Sequence, residues 1–205
     1  MLAVSWPTRR GSSVRAPNIA EILGTIAKAL KSIGVRWYVF GAQAVVAAGY
    51  VRQTADIDIT TDDVPVDRLR AALHRAGFEL RKDIAELEDL IEHHRIVPLR
   101  HRSGLNLDVV RAGPGLELEM LGRAIQRRVG RRRIPFVETN DLIVLKMLAA
   151  RAKDLEDVRG LLRTGSPEIN VALVRSRLEQ LGGLIDDSTL VESFERELST
   201  VKRGR

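Results

Sequence analysis

Residues 37–60 decide the fold, and they read WYVFGAQAVVAAGYVRQTADIDIT. The apolar run 37–40 predicts a buried strand that stops at Gly41, and the alanine- and valine-rich run 42–48 predicts a short helix. Residues 56–60 alternate between polar and apolar side chains, which predicts a second strand. Because residues i and i+2 of a strand point the same way, Asp56 and Asp58 should share one face. This stretch therefore indicates a mixed α and β protein.

The rest of the chain divides into a mixed part and a helical part. Residues 1–17 carry glycine, serine, proline and arginine without periodicity, which predicts a flexible basic arm. Helices and strands should alternate over 18–137, with 116–125 helical and 129–137 extended. From 138 to 205 every segment has a helical period. We expect one helix over 139–163, followed by helices over 168–181 and 188–200, with breaks at Gly165-Ser166-Pro167 and Gly182-Gly183. The predicted fold is α+β, with a mixed sheet flanked by helices and a C-terminal helical region.

Composition excludes several classes of protein. The chain has 205 residues, 44% of them apolar, so it has enough apolar material for a core. It has no cysteine, which excludes disulfides, thiolate nucleophiles and cysteine-based zinc sites. No apolar run approaches the roughly 18 residues that a membrane span needs. We therefore expect a cytoplasmic protein with no membrane partner.

The net charge of +6 comes from one short window. Residues 123–133 contain six arginines and no acid, whereas the rest of the chain has 27 basic and 27 acidic side chains. Such a patch is typical of a surface that contacts a polyanion, for example RNA. A solvated cluster without a partner is the alternative interpretation. The candidate contacts to an RNA acceptor are Arg127, Arg128, Arg131, Arg132 and Arg133.

Two carboxylates on one strand face suggest a metal site. Asp56 and Asp58 would repel each other unless a cation lay between them, and their oxygen atoms suit a hard divalent ion such as Mg²⁺. The strand predicted over 105–110 carries Asp108, which joins the pair if the two strands are neighbours. Three carboxylates can hold two ions that act on a phosphoryl group. The alternative is ordinary, because Asp-x-Asp pairs are also common in turns and on solvated faces.

The glycine turn and the residues after it resemble a known signature. The matching residues are Phe40-Gly41-Ala42-Gln43-Ala44, Gly49, Arg52-Gln53-Thr54-Ala55 and Asp56-Ile57-Asp58-Ile59. They resemble the signature of polymerase-β-like nucleotidyltransferases, and in particular the bacterial branch that includes abortive-infection toxin-type enzymes. A second matching block is formed by 141–146 and 151–158. One position departs from the pattern: Ala42 stands where the signature usually has glycine or serine.

The resemblance implies a function for each motif. It implies transfer of a nucleoside monophosphate from an NTP, such as ATP, to a hydroxyl acceptor, with release of pyrophosphate. Two Mg²⁺ ions, or Mn²⁺ instead, would be held by Asp56, Asp58 and Asp108. The triphosphate would be bound by Gly41, Gln43, Arg52, Thr54 and Lys146. The implied nucleotidyltransferase domain spans 18–137.

The acceptor and partners follow from the same resemblance. The end of a tRNA or a protein hydroxyl is expected rather than a small molecule such as an aminoglycoside. The protein could also be the toxin of a toxin–antitoxin pair, with a cognate antitoxin as its partner. The alternative is a non-catalytic nucleotide- or RNA-binding module that keeps the same fold.

The predicted helix 139–163 places Lys146 on a polar stripe. In one continuous helix, Lys146, Lys153 and Asp157 return to nearly the same angle. Leu142, Leu145 and Leu148 would lie on a separate, apolar stripe. The resemblance directs Lys146 to the triphosphate, with Asp154 or Asp157 supporting it. The alternative is a solvated face with a weak Lys153–Asp157 pair.

Overall fold

A computed structural model describes residues 18–204, so the predicted arm 1–17 lies outside the described residues. The predicted α+β class is confirmed, with one mixed seven-stranded sheet and helices around it. The described residues form two compact units. The first contains 18–43 and 54–137, and the second contains 44–53 and 138–204. No helix among the described residues is both long and apolar enough to cross a membrane.

The first unit carries the whole sheet. Its strands are β1 (Trp37–Phe40), β2 (Asp56–Thr61), β3 (Phe78–Leu80), β4 (Ile96–His101), β5 (Asn106–Arg111), β6 (Ile125–Val129) and β7 (Arg132–Phe136). Their order across the sheet is β3-β4-β5-β2-β1-β7-β6. β2 runs parallel to β5, and β1 runs parallel to β7, while the remaining neighbours are antiparallel. The sheet centre is therefore the pair β2–β5 with β1 beside it.

The two faces of the sheet differ in polarity. One face carries the fully buried Ile57, Ile59, Val39, Leu107 and Val109. The helices that pack in this unit are α1 (Ile19–Ser32) and α3 (Val66–Arg75). The opposite face carries the polar residues that alternate with this core set, since successive strand residues point to opposite sides. Two shorter helices complete the unit: α4 (Leu87–Glu92) and α5 (Leu116–Arg123).

The second unit is helical. It contains most of α2 (Gly41–Ala47) and all of α6 (Thr139–Ala149), α7 (Ala152–Thr164), α8 (Val171–Ile185) and α9 (Thr189–Arg203). Its core is built from fully buried apolar side chains on α6 to α9, among them Ile143, Val158, Leu178 and Phe194. Helix contacts follow the pattern α6 with α7 and α8, and α9 with α7 and α8.

The predicted single helix over 139–163 is wrong. Ala150 takes the left-handed conformation (φ 49°) and ends α6, and Arg151 is extended before α7 begins. The apolar stripe predicted for one helix fails as well, because Leu148 is exposed whereas Asp141 and Lys146 are buried. The predicted break at Gly182-Gly183 is also wrong, since both glycines lie inside α8.

The structure corrects the segment 116–137 in a similar way. Helix α5 ends at Arg123, and Ile125, the last residue of the predicted helix 116–125, begins β6. The single extended run predicted from 129 to 137 is instead the second half of an antiparallel hairpin, β6–β7, that turns at Gly130. The short strand β3 was not predicted.

Candidate active site

Asp58 and Asp108 lie side by side on the polar face of the sheet. They are register partners on the parallel strands β2 and β5, and Asp56 is the partner of Asn106 in the same ladder. Neighbouring strands are about 4.8 Å apart, and residues two apart on a strand share a face. The three acids, which we call the acid row, therefore lie on one face of the sheet, on two neighbouring strands.

Two neighbours hold the outer members of the acid row. Arg81 Nη2 donates to Asp108 Oδ1 at 3.1 Å, and Asn106 Nδ2 donates to Asp56 Oδ1 at 3.1 Å. The pKa of Asp108 is raised because the carboxyl is partly desolvated; Arg81 opposes the shift, and the charge of Asp56 adds to it. The charge of Asp56 is thus felt by Asp108 on the neighbouring strand.

Gly41 makes room for the middle member of the acid row. Its φ is +61°, a conformation that suits glycine, and a Cβ added there would overlap Asp58 Oδ2. The turn after β1 and the carboxylate of Asp58 therefore occupy adjoining space. Glycine is required at this position for two separate reasons, the backbone conformation and the contact.

Gln43 and Thr54 lie next to the first residue of β2. Gln43 is only 1% exposed, and its Nε2 donates to the carbonyl oxygen of Asp56 at 3.3 Å. Its Oε1 is buried and accepts no hydrogen bond from the described residues. The hydroxyl of Thr54 lies 3.3 Å from the same carbonyl of Asp56. Both side chains therefore support the start of the strand that carries two of the acids.

The donor set of the acid row fits a hard divalent cation. Carboxylate oxygens on neighbouring strands, without sulfur or imidazole, are the ligands that Mg²⁺ and Mn²⁺ take. With the side chains as they stand, no three histidine, aspartate or glutamate side chains among residues 18–204 converge on a single metal position. Asp108 is hydrogen-bonded to Arg81, and Asp56 is hydrogen-bonded to Asn106.

Lys146 belongs to a different cluster, in the second unit. Its Nζ lies 2.7 Å from Asp154 Oδ1 and 2.8 Å from Asp157 Oδ2, and the side chain is nearly buried. Arg52 Nη1 contacts both oxygens of Asp157, at 2.6 and 2.9 Å. We call Arg52, Lys146, Asp154 and Asp157 the buried ion network. Lys146 thus contacts both aspartates, and each contact joins two helices, α6 and α7.

The pKa of Asp154 reflects this network. Burial opposes its ionisation, but hydrogen bonds from Arg151 and Lys146, together with their charges, outweigh burial and lower the pKa. The alternative Lys153–Asp157 pair does not form, because Asp157 bonds Lys146 and Arg52. The break at Ala150 produces this result, since it turns α7 so that its buried aspartates meet α6.

The hairpin β6–β7 divides the arginine cluster between two faces. Phe136 pairs with Val39 of the apolar face, so Arg133 and its partner Arg128 lie on the face of the acid row. Arg127 and Arg132 lie on the opposite face, where the Arg132 side chain meets Gly24 of α1. Arg131 is in the turn.

The arginines at the start of β7 lie toward the opposite end of the strands from the acid row. Phe136 ends β7 beside Val39, close to Gly41, whereas Arg132 and Arg133 begin that strand. From strand spacing and rise, Arg133 is roughly 16 Å from Asp58. Arg133 therefore does not contact the acid row directly.

Sequence reasoning missed Arg81 and Asn106. The alternation of β5 places Asn106 on the same face as Asp108, so Asn106 could have been found from the sequence. Arg81 could not, because it follows the unpredicted strand β3 and reaches Asp108 from two strands away. Beside it lies a groove of about 690 Å³ on the β3–β4 edge. The charged residues of the groove are Glu79, Arg81, Lys82, Asp83, Arg100 and Arg102.

A family and two solved structures resemble this chain. The sequence pattern of the aminoglycoside-2''-adenylyltransferase family matches residues 22–106, which is less than half of the chain. The match includes Gly41, Asp56 and Asp58 and ends just before Asp108. No curated protein matches the chain.

Two of the solved structures that resemble this chain are of one resistance enzyme. The solution structure of the antibiotic-resistance factor ANT(2'')-Ia superposes with a TM-score of 0.58 at 15% identity, over 82% of this chain and 95% of that one. The crystal structure of ANT(2'')-Ia in complex with adenylyl-2''-tobramycin gives 0.54 at 16% identity, over 78% and 97%. The fold is nucleotidyltransferase-like. The predicted enzyme class, a nucleotidyltransferase, agrees with this fold and with the family match.

Proposed function

We propose that this chain transfers a nucleoside monophosphate from an NTP to a hydroxyl acceptor. The observation that carries the proposal is the register pair Asp58–Asp108, with Asp56 on the same face and the glycine turn at Gly41 beside it. In the reaction the acceptor oxygen bonds to the α-phosphorus, the bond from that phosphorus to the β-phosphate oxygen breaks, and pyrophosphate leaves. The hydroxyl proton passes to a carboxylate.

Each acid of the row has a task in this proposal. Asp56, Asp58 and Asp108 hold the divalent ions, two Mg²⁺ ions by resemblance, or Mn²⁺. When bound, the metal neutralises phosphate charge and stabilises the attacking and leaving oxygens. Asp108 accepts the acceptor proton, a role that the resemblance assigns to it. Asn106 holds Asp56 in place through its side-chain amide.

The proposed contacts to the triphosphate are taken from the sequence resemblance. Gly41 and Ala42 offer backbone N–H groups, and Ala42 has no hydroxyl to add a further bond. Gln43, Arg52, Thr54 and Lys146 complete the set that the resemblance assigns, with ATP as the nucleotide. Asp154 and Asp157 support the lysine through the buried ion network.

The acceptor is proposed to be a tRNA end or a protein hydroxyl rather than an aminoglycoside. The groove that contains Arg81 has four arginine or lysine side chains against two acids. Aminoglycosides are polycations, and this groove would repel them, whereas it attracts a phosphate-rich or acidic acceptor. Arg81 joins the groove to the acid row because it bonds Asp108 directly. The toxin role and a cognate antitoxin belong to this proposal through the resemblance alone.

Transfer of label tests the function. Purified protein is incubated with Mg²⁺, each NTP labelled at the α-phosphate, and one of three acceptors: total RNA, a protein extract or tobramycin. We expect label on RNA or protein, and at least a roughly thousandfold loss in Asp58→Asn and Asp108→Asn. Asp67→Asn, at a side chain that is 96% exposed, is the matched control and should keep full activity.

The other outcomes decide between the alternatives. Label on tobramycin alone would keep the transferase and overturn the proposed acceptor class. NTP that binds but is never transferred to any acceptor would favour the non-catalytic binding module, for which Ala42 in the glycine turn is the supporting observation.

A further inference from the structure

We propose that Arg81 is a positioning residue that holds Asp108 in the metal-free protein and competes with the divalent cation for that carboxylate. The inference rests on the proposed metal-dependent transfer. Its consequence is that the cation binds weakly to the protein alone and tightly when a nucleotide accompanies it. The signature motifs do not predict this role, because Arg81 lies outside the motif residues at 40–59, 141–146 and 151–158.

The strand register brings Arg81 to Asp108. Leu80 pairs with Leu99, and the next residue, Arg81, donates its backbone N–H to the carbonyl oxygen of Pro98 at 3.0 Å. Pro98 is in turn the partner of Asp108 on β5. Arg81, Pro98, Asp108 and Asp58 therefore form one row across four strands.

The guanidinium is directed at the acid row rather than at solvent. The Arg81 side chain is only 17% exposed. Its Nε is buried and has no hydrogen-bond partner among the described residues, while its Nη2 bonds Asp108 Oδ1. Leaving one donor unsatisfied is unfavourable, so the side chain keeps this position because of its contact with Asp108. Asp108 Oδ2 accepts no hydrogen bond within residues 18–204.

Charge makes the contact competitive. Arg81 brings one permanent positive charge to a row of three carboxylates, and an arginine cannot lose its proton to make way. A divalent cation that approaches Asp108 meets this charge at close range and is repelled. An NTP adds about four negative charges, which offset the guanidinium and favour the ions. Arg81 thus couples occupancy of the metal site to the presence of nucleotide.

Mn²⁺ binding tests the inference without measuring activity. Free Mn²⁺ is followed by electron paramagnetic resonance as it is titrated into the full chain, with and without a non-hydrolysable ATP analogue. Without nucleotide we expect Arg81→Gln to bind Mn²⁺ about tenfold more tightly than wild type, and Arg81→Lys to stay close to wild type. When the ATP analogue is present, the difference in Mn²⁺ affinity between Arg81→Gln and wild type should be smaller.

Two further variants complete the design. Arg36→Gln removes the same charge and also an aspartate partner, Asp62, at the other end of β1, and it should leave Mn²⁺ affinity unchanged. In an Asp108→Asn background, Arg81→Gln should no longer change the affinity for Mn²⁺, because the carboxylate for which Arg81 and the cation compete is absent. Circular dichroism shows whether each variant folds. If Arg81→Gln does not fold, Arg81→Lys still tests the proposal, because it keeps the positive charge. Mn²⁺ binding by Arg81→Lys that is tenfold tighter than in wild type would contradict competition by charge.

The failures of the two proposals are distinguishable. Unchanged or weaker Mn²⁺ binding in Arg81→Gln, in a protein that binds Mn²⁺ with nucleotide, overturns the role of Arg81 and leaves the transferase intact. No Mn²⁺ binding by wild type even with nucleotide overturns the metal-dependent function itself.

Discussion

The acid row and the buried ion network are both clusters of charged side chains, but they differ in burial and in how their charges are paired. The acid row has three partly exposed carboxylates, one of which bonds Arg81. The buried ion network sets Asp154 and Asp157, both almost fully buried, against Lys146 and Arg52, and Arg151 also bonds Asp154. The carboxylates of the network are thus buried and paired with cations, whereas those of the row remain accessible to solvent.

The difference indicates which cluster needs a partner from outside. Buried charges persist only when they are paired, so the buried ion network must be complete in the folded protein. A partly exposed row with surplus negative charge tolerates incomplete pairing and can take up cations. We therefore expect the network to govern stability and the row to govern chemistry.

Loss of Lys146 should have the largest effect on the stability of the buried ion network. Lys146→Met keeps the length of the side chain but leaves two buried carboxylates without their shared cation. We expect the free energy of unfolding to fall by about 3–5 kcal/mol. Denaturant titration followed by circular dichroism measures the change.

The neighbouring lysine supplies the control for this variant. Lys153→Met changes the same residue type on an exposed position of α7 and should alter stability by less than about 0.5 kcal/mol. Equal stability of Lys146→Met and wild type would mean that the contacts of the lysine in the network contribute nothing measurable to folding.

Gly41 gives a sharper test of the acid row. Gly41→Ala strains a backbone at φ +61° and also pushes a Cβ into Asp58 Oδ2. Gly34 has nearly the same φ, +65°, with no atom within 4 Å of an added Cβ. Both variants should lose about 1–2 kcal/mol of stability from the backbone alone.

Only Gly41→Ala should also disturb the metal ligand. We expect it to weaken Mn²⁺ binding in the presence of nucleotide, whereas Gly34→Ala should bind Mn²⁺ as wild type does. The same affinity in both variants would show that Asp58 moves aside without consequence.

The sequence predicted the acid row better than the buried ion network, for a physical reason. Alternation along a strand fixes which residues share a face, so the common face of Asp56 and Asp58 follows from β2 alone. The place of Asp108 beside them needed only one assumption, that β2 and β5 are neighbours. The wider sheet was harder, since the three-residue strand β3 gives too short a pattern to predict.

The network depended on a turn that local sequence does not mark. Neither glycine nor proline stands at 149–151, so helical periodicity passes through the break without interruption. The left-handed conformation of Ala150 is imposed by the packing of α6 and α7 and not by its side chain. Pairs between helices, such as Lys146 with Asp154, then depend on tertiary geometry that no spacing rule contains.

The smallest expected effect is a pH dependence that belongs to the buried ion network. The pKa of Asp154 is lowered in the folded protein, so folding favours its ionised form. Its contribution to stability is therefore present above the ordinary aspartate pKa of about 3.8 and is lost as pH falls through the lower, folded value. Asp154→Asn removes this contribution, so wild type should melt at a higher Tm than the variant at pH 6, and the gap should narrow below about pH 4. Differential scanning calorimetry from pH 6 to pH 3 measures the gap, with Asp67→Asn as the exposed control that stays near wild type. A gap that widens on acidification would mean that Asp154 is protonated in the folded protein, and the network would then resemble the acid row in lacking full compensation.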